Sequence, residues 1–287
     1  MGTRTDSSFT SRGVALALLL PAFAVYVIAF ILPVFKLGEM SFLLSAQGGA
    51  LQNEYTFSNY VNFLLDTYYL ELIFNSILMS LVVTIFTLIC AYPVAMLIHV
   101  TSPKWRNFLI IITISPLLVS SVVRTYGWML LLGDTGVING LLQRTGLIDQ
   151  PIRMLNDYSG VIIGLVEILM PYMALALLAG FGRLEDSITD AAASLGANAF
   201  KRFIYVTLPL TAPGIALGSL LCFVLSISSF VTPRLLGGGR VFLLATEIYD
   251  QAIIELQWPM ASTLSVVLLI LFTITLTAYA WIARRGA

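Results

Sequence analysis

The chain has 287 residues, of which 59% are hydrophobic and 10% charged, and its formal net charge is zero. A soluble domain carries about a quarter charged residues, so this composition excludes an ordinary soluble domain, and the neutral balance implies no general attraction to nucleic acid. The two cysteines, Cys90 and Cys222, both fall in apolar runs and read as small buried hydrophobes rather than redox or metal groups.

Apolar runs of about twenty residues recur, each long enough to cross a hydrocarbon layer ~30 Å thick. Backbone groups in that layer must be satisfied internally, which predicts a helical bundle. Met1 to Arg12 is a polar lead. The first span is expected from Gly13 to Phe35, with Pro21 and Pro33 inside it. It is too long for a cleaved signal peptide, and no clear small-residue cleavage site follows. Lys36 to Glu71 is a polar connection whose Tyr55, Phe57, Tyr60, Tyr68 and Tyr69 suit a segment lying at the membrane surface. The second span runs from Leu72 to Ile98, with Pro93 expected to bend its inner end. His99 to Asn107 links it to a third span, Phe108 to Leu132, containing Pro116. Gly133 to Asp157 is a loop, and the fourth span runs from Tyr158 to Phe181 with Pro171 inside. A polar insert follows from Gly182 to Pro209. The fifth span is Leu210 to Val231, with Gly214 and Gly218 spaced for close helix packing. Thr232 to Pro259 is a loop whose Gly237-Gly238-Gly239 reads as a flexible turn. The sixth span is Met260 to Ile282, ahead of Arg284-Arg285.

Three regions follow: a tail, first span and outer segment over 1–71, a core over 72–283 that holds the insert 182–209, and a short tail over 284–287. Six spans place both termini on one side. That side carries Arg4, Arg12, Lys104, Arg106, Arg183, Lys201, Arg202, Arg284 and Arg285, while the opposite loops hold most of the acids. The excess of Lys and Arg makes the termini and the insert cytoplasmic. The fold class is therefore an all-α membrane protein with six transmembrane helices and cytoplasmic termini.

Within the insert, Ser187 with Asp190 three residues later reads as a helix N-cap near the capping-box pattern. Ala191, Ala192 and Ala193 are strong helix formers with little bulk. Gly196 suits a left-handed residue that ends a helix, and Leu208-Pro209 is expected to stop a second short helix before the fifth span. The product is a helix–turn–helix with a small-residue face, suited to another protein's groove.

Arg124 and Glu167 are the formally charged residues deep in spans, each costing about 2.5–3.5 kcal/mol at a helix centre. Counted from the outer ends of the third and fourth spans, both lie about 12–14 Å deep at 1.5 Å per residue. Equal depth makes an ion pair possible. One or both line a substrate path, or the pair simply ties two helices together; both readings stand. Tyr126, Trp128 and Tyr172 are candidates for an aromatic lining of that path, or for packing.

Other chemistry is missing. No phosphate-cradling Gly-x-x-x-x-Gly-Lys-Ser/Thr occurs, so ATP is not bound by that device. His99 is the one histidine, no metal-ligand spacing is present, and no base is placed to activate a serine. The expectation is a non-enzymatic chain that binds no cofactor or metal itself.

The insert resembles the signature loop of the membrane subunits of binding-protein-dependent ABC importers. That pattern is acidic-Ala-Ala, three residues, Gly, nine residues, an aliphatic residue, any residue and Leu-Pro. Asp190-Ala191-Ala192, Gly196, Val206 and Leu208-Pro209 fill every slot, with Asp where Glu is commoner and Val where Ile is commoner. From about Phe57 onward the chain is similar to permeases of the spermidine/putrescine importer family. The stretch from Ser115-Pro116 through Arg124, Tyr126 and Trp128 to Gly133-Asp134 and Asn139 carries this likeness, with Pro151, Arg153-Met154, Gly164-Leu165 and Pro171. The resemblance implies a type I importer fold with two permease subunits, the second a paralogue. It also implies two ATPase copies that bind ATP and Mg, and an extracytoplasmic binding protein. Ser187, Asp190, Ala191, Ala192, Gly196, Val206, Leu208 and Pro209 would then form the coupling loop seated on the ATPase. Glu167 departs from the family, which usually has an uncharged residue there. An acid suits a cationic cargo such as a polyamine, though related permeases carry opines, aminophosphonates or other small solutes. A self-sufficient secondary transporter that uses Arg124 and Glu167 as an ion relay, and a scaffold subunit without a pathway, are the competing classes.

Overall fold

Long apolar runs fold as helices because no other local structure pairs every backbone group within its own segment. In the computed structural model, which describes residues 19–45 and 51–285, five helices are long and apolar enough to cross a membrane. A sixth span is made if one bent pair is counted as a single crossing. The chain divides into two compact units. One holds residues up to Leu65 with Ile248–Val267, and the other holds Asp66–Glu247 with the residues from Leu268.

The first unit begins with α1, Leu19–Met40, a helix apolar on every side in which no residue is buried. Residues 13–18 of the first expected span lie outside the described residues. The connection after α1 is not a featureless surface segment. Strands β1 (Leu43–Ser45) and β2 (Leu51–Tyr55) form an antiparallel hairpin, followed by α2 (Ser58–Leu65). Asn59 pins the hairpin by donating from Nδ2 to the carbonyls of Ser41 and Leu43, both at 2.9 Å. The Phe42 ring meets Phe57 edge-on and tilts against Tyr60 at about 5 Å, so these aromatics pack on one another.

The second unit is built on three helices, α3 (Thr67–Val100), α7 (Tyr158–Phe181) and α9 (Ala199–Ile227). Between α3 and α7 run α4 (Pro103–Leu118), α5 (Ser121–Leu132) and α6 (Val137–Arg144). After α7 comes α8 (Asp186–Ser194), and after α9 come α10 (Val231–Leu236) and α11 (Leu244–Tyr249). The last helix, α12 (Trp258–Arg285), spans from the first unit into the second. Asp157 caps α7, its carboxylate accepting from the Ser159 amide and hydroxyl at 3.1 and 2.7 Å. Those bonds hold the Asp157 carboxyl below its ordinary pKa.

The core of this unit is Met79, Val83 and Ala95 from α3, Leu165, Leu169, Met173 and Leu177 from α7, and Cys222 from α9. Two glycines let α7 and α9 touch backbone to backbone. A Cβ added at Gly214 would sit 2.8 Å from both the Ala176 carbonyl oxygen and Gly180 Cα, closer than real side chains come. The glycine spacing in the fifth span therefore serves close packing, as expected. Gly214→Leu should cost about 1–3 kcal/mol or more by overpacking. The expected result is a lower thermal midpoint of the purified protein in detergent, with Gly214→Ala intermediate. An unchanged midpoint would show that the two helices are not held this closely.

Three expectations need correction. The third span is not one straight helix: α4 ends in a tight 3-10 turn, Ser115–Leu118, and meets α5 at a 94° bend. Pro116 has no amide for the carbonyl of Ile112, and that carbonyl instead accepts from the Ser115 hydroxyl at 2.9 Å. Val119 is then fully extended before Ser120 caps α5. Pro209 does not stop a helix. A π turn over Phe203–Thr207 carries the chain into it, with the Leu208 amide bonding five residues back to Phe203, and α9 continues unbroken into the apolar run. The Gly237 triplet does form a turn: Gly238 and Gly239 are exposed with φ of +53° and +75°, Gly237 is buried, and a Cβ on Gly238 would run into the Asn156 amide. Finally, Cys222 is buried but Cys90 is exposed on α3.

Candidate functional site

The insert folds as α8, a turn and the start of α9. Gly196 has φ of +82°, the left-handed region that costs any residue with a Cβ about 1–2 kcal/mol. That geometry lets the Gly196 amide reach the Ala193 carbonyl at 2.9 Å and the Ala197 amide reach Ala192 at 3.1 Å, the paired bonds of a Schellman ending. Asn198 then caps α9, its Oδ1 accepting from the Lys201 amide at 2.8 Å. Ser187 is not the cap of α8. The helix starts at Asp186 after Glu185, and the Ser187 hydroxyl donates to the Glu185 carboxylate at 3.3 Å.

Ser187, Asp190, Ala191 and Gly196 are exposed, and Ala192 is half-buried. The Asp190 carboxylate has no ion-pair partner among the described residues. Val206 turns inward onto the core, while Leu208 and Pro209 stay exposed. Sequence reasoning missed two residues: Leu195 and Phe200, which flank the turn and are 88% and 70% exposed. Their signal was available, because Leu195 and Phe200 stand out among the small neighbours Ala191–Ala193, Gly196, Ala197 and Ala199.

The second constellation lies in the spans. Arg124 and Trp128 are one helical turn apart on α5 and so share a face. Glu167 on α7 accepts from both, Oε1 from Arg124 Nη1 at 3.1 Å and Oε2 from Trp128 Nε1 at 3.3 Å. The Arg124 side chain is only 12% exposed, and its buried Nε has no acceptor among the described residues. The ion pair that equal depth allows is therefore formed.

Beside it is a cavity of about 560 Å³ lined by Leu117, Val119, Ser120, Arg124, Tyr172 and Phe230 among others. Arg124 is the one charged residue among the described residues that line it. Tyr172 reaches the cavity. Glu167 and Trp128 stand behind Arg124 rather than in the wall, and Tyr126 is not in the wall at all. The extended stretch Val119–Ser120 forms part of the wall. Irregular backbone at membrane depth persists only where it is buried or lines a wet cavity, so the bend between α4 and α5 and the cavity explain each other. Among the described residues no three His, Cys, Asp or Glu side chains converge as a metal site requires.

The family described as "Binding-protein-dependent transport system inner membrane component" matches residues 79–286. The chain is 38% identical over 224 residues to the spermidine/putrescine transport system permease protein PotB of Haemophilus influenzae, covering 78% of each. It is 34% identical over 245 residues to the protein of the same name from Escherichia coli K12, covering 85% of this chain and 88% of that one. Among solved structures, a bacterial alginate ABC transporter in complex with an alginate pentasaccharide-bound periplasmic protein superposes with a TM-score of 0.76 at 17% identity. That match covers 99% of this chain and 98% of the other, and at that identity the likeness is one of fold.

Proposed function

The chain belongs to the family of binding-protein-dependent transport system inner membrane components, and from that premise we propose that it is the permease subunit of an ATP-driven importer for polyamines. It is a multi-pass protein of the bacterial inner membrane. The observation that carries the cargo class is the 38% identity to a spermidine/putrescine permease over most of both chains. ATP hydrolysis belongs to two copies of a separate ATPase, cargo is delivered by a periplasmic binding protein, and a second, paralogous permease completes the pathway.

The cavity is the path and the turn at Gly196 is the point of force. A polyamine is a multiple cation, and Arg124 alone would repel it. Glu167 cancels that charge from behind the wall, so the pair makes the cavity neutral toward a cation. Opines, aminophosphonates and other small solutes are the alternative cargoes.

The test is uptake of labelled spermidine and putrescine by proteoliposomes holding the whole complex. The expected result is saturable uptake that needs ATP and the binding protein. Uptake by this chain alone, driven by an ion gradient, would overturn the reading in favour of a secondary transporter. At the turn, Leu195→Asp should remove an apolar anchor worth about 1.5–3 kcal/mol. ATPase retention during purification should fall by about tenfold or more, measured against the inserted permease; unchanged retention would count against docking there.

A further inference from the structure

The second unit holds another cavity, at the end that carries the insert. It measures about 290 Å³ and lies between the last turns of α3 and α7 and the helix pair α8–α9. Most of its wall is apolar, from Met96, Val100, Phe181 and Phe203. Two side chains with nitrogen donors interrupt that wall, His99 and Arg202. The His99 ring is held in place by stacking on Phe181 at 5.2 Å. His99 Nδ1 and Arg202 Nε are buried, and neither has a hydrogen-bond partner among the described residues. Neither residue forms an ion pair with the chain among the described residues.

A guanidinium and an imidazole in one largely apolar pocket suit an anion with an apolar body. The planar Arg fork favours a carboxylate or phosphate. Among the described residues no acid lines the cavity, and Glu185, just before α8, and Asp190, on α8, lie exposed outside it. Lys104 on α4, Arg183 on the link from α7 to α8 and Lys201 on α9 are exposed, which adds to the positive potential of this end. The mouth continues onto apolar surface: Val100 and Met96 both line the cavity and are 68% and 37% exposed, with Leu97 exposed beside them. Trp105, 63% exposed on the next helix, is the residue type that marks the headgroup level of a bilayer. Basic pockets between spans on the cytoplasmic side are where phosphate headgroups bind.

We propose that this cavity is a binding site for a phosphate group, held by Arg202 and His99, with an anionic phospholipid as the source that also covers the apolar mouth. Thr189 on α8 and Phe203 on α9 share the wall with His99 on α3 and Phe181 on α7. A bound headgroup therefore bridges the insert to the ends of two spans.

The test uses the assembled complex in nanodiscs of phosphatidylcholine alone or of phosphatidylcholine with phosphatidylglycerol. Native mass spectrometry reads the lipid retained by this chain. Phosphatidylglycerol should be enriched over the bulk mixture by roughly five- to tenfold, and Arg202→Gln and His99→Gln should each lower that enrichment severalfold. A second arm titrates inorganic phosphate in phosphatidylcholine discs and follows protection of Arg202 from phenylglyoxal. Protection without lipid enrichment keeps the phosphate site and assigns it to a soluble source. If neither enrichment nor protection is seen in the unaltered complex, the proposal fails. It fails too if both variants assemble and retain phosphatidylglycerol as before. If the Gln variants do not assemble, Arg202→Lys, which keeps the charge without the fork, and the two arms on the unaltered complex decide.

Discussion

Gly196→Asp abolishes ATP-driven uptake while the protein still inserts into the membrane. The loss does not come from crowding, since a Cβ at Gly196 meets nothing within 4 Å. It comes from the backbone. At φ of +82° an L-residue is strained by about 1–2 kcal/mol, and relief by moving to the ordinary helical region breaks the paired bonds to Ala192 and Ala193. The two short helices then leave the turn in a different direction. The new carboxylate also lies at the C-terminal end of α8, where the helix dipole is unfavourable to an anion. Uptake per inserted molecule should fall by more than tenfold. Gly196→Asn should keep much of it, because Asn serves at the left-handed position that ends a helix and places no anion at the negative end of the helix dipole. Full uptake in the Asp variant would remove the turn from any part in transport.

Glu167→Gln strips the Arg124 charge of its partner. Both groups are partly buried, at 12% and 29% side-chain exposure, so the penalty is that of a broken pair reduced by solvent, ~1–3 kcal/mol. The cavity wall becomes net positive, and repulsion grows with the charge of the cargo. Spermidine uptake should therefore fall by about tenfold, and putrescine uptake by less. The double variant Arg124→Gln with Glu167→Gln separates the two roles. If the pair shapes cargo entry, the double variant regains uptake and loses the dependence on cargo charge. If the pair only ties α5 to α7, each single variant loses assembled complex, uptake per complex is unchanged, and the cargo-charge effect is absent.

The helices were legible in the sequence wherever one rule acted alone. The fourth span, Tyr158 to Phe181, is found where the sequence puts it, because a long run that is apolar apart from Glu167 and a few small or polar residues sits directly behind a capping Asp157. Equal depth placed Arg124 beside Glu167. The resemblance carried by Asp190, Gly196 and Pro209 agrees with the family match, and the left-handed glycine is present. The misses lie where two rules compete. Pro116 is compatible with a mild kink or a full break, and the break depends on Val119 going extended, which its residue type does not announce. Pro209 signals a stop only in an α-helix; the π turn before it changes which carbonyl would have needed its amide. Ser187 outranks Glu185 as a cap by residue preference, yet the chain leaves α7 in a direction that starts α8 one residue before Ser187. The cavity was out of reach, because it is made by a bend that no spacing encodes.

The contact of α9 with α7 at Gly180 and Gly214 has a mechanical consequence. There the two backbones meet with no side chain between them. Gly214 divides α9 into an arm of about 22 Å back to Ala199 and one of about 17 Å forward to Leu225, at 1.5 Å per residue. Leu225 is in the wall of the larger cavity. On the proposed function, a tilt of α9 by about 5° about this contact would move each end by roughly 1.5–2 Å in opposite senses for arms of that reach. A push on the polar end would then reach the cavity as a pull of nearly the same stroke.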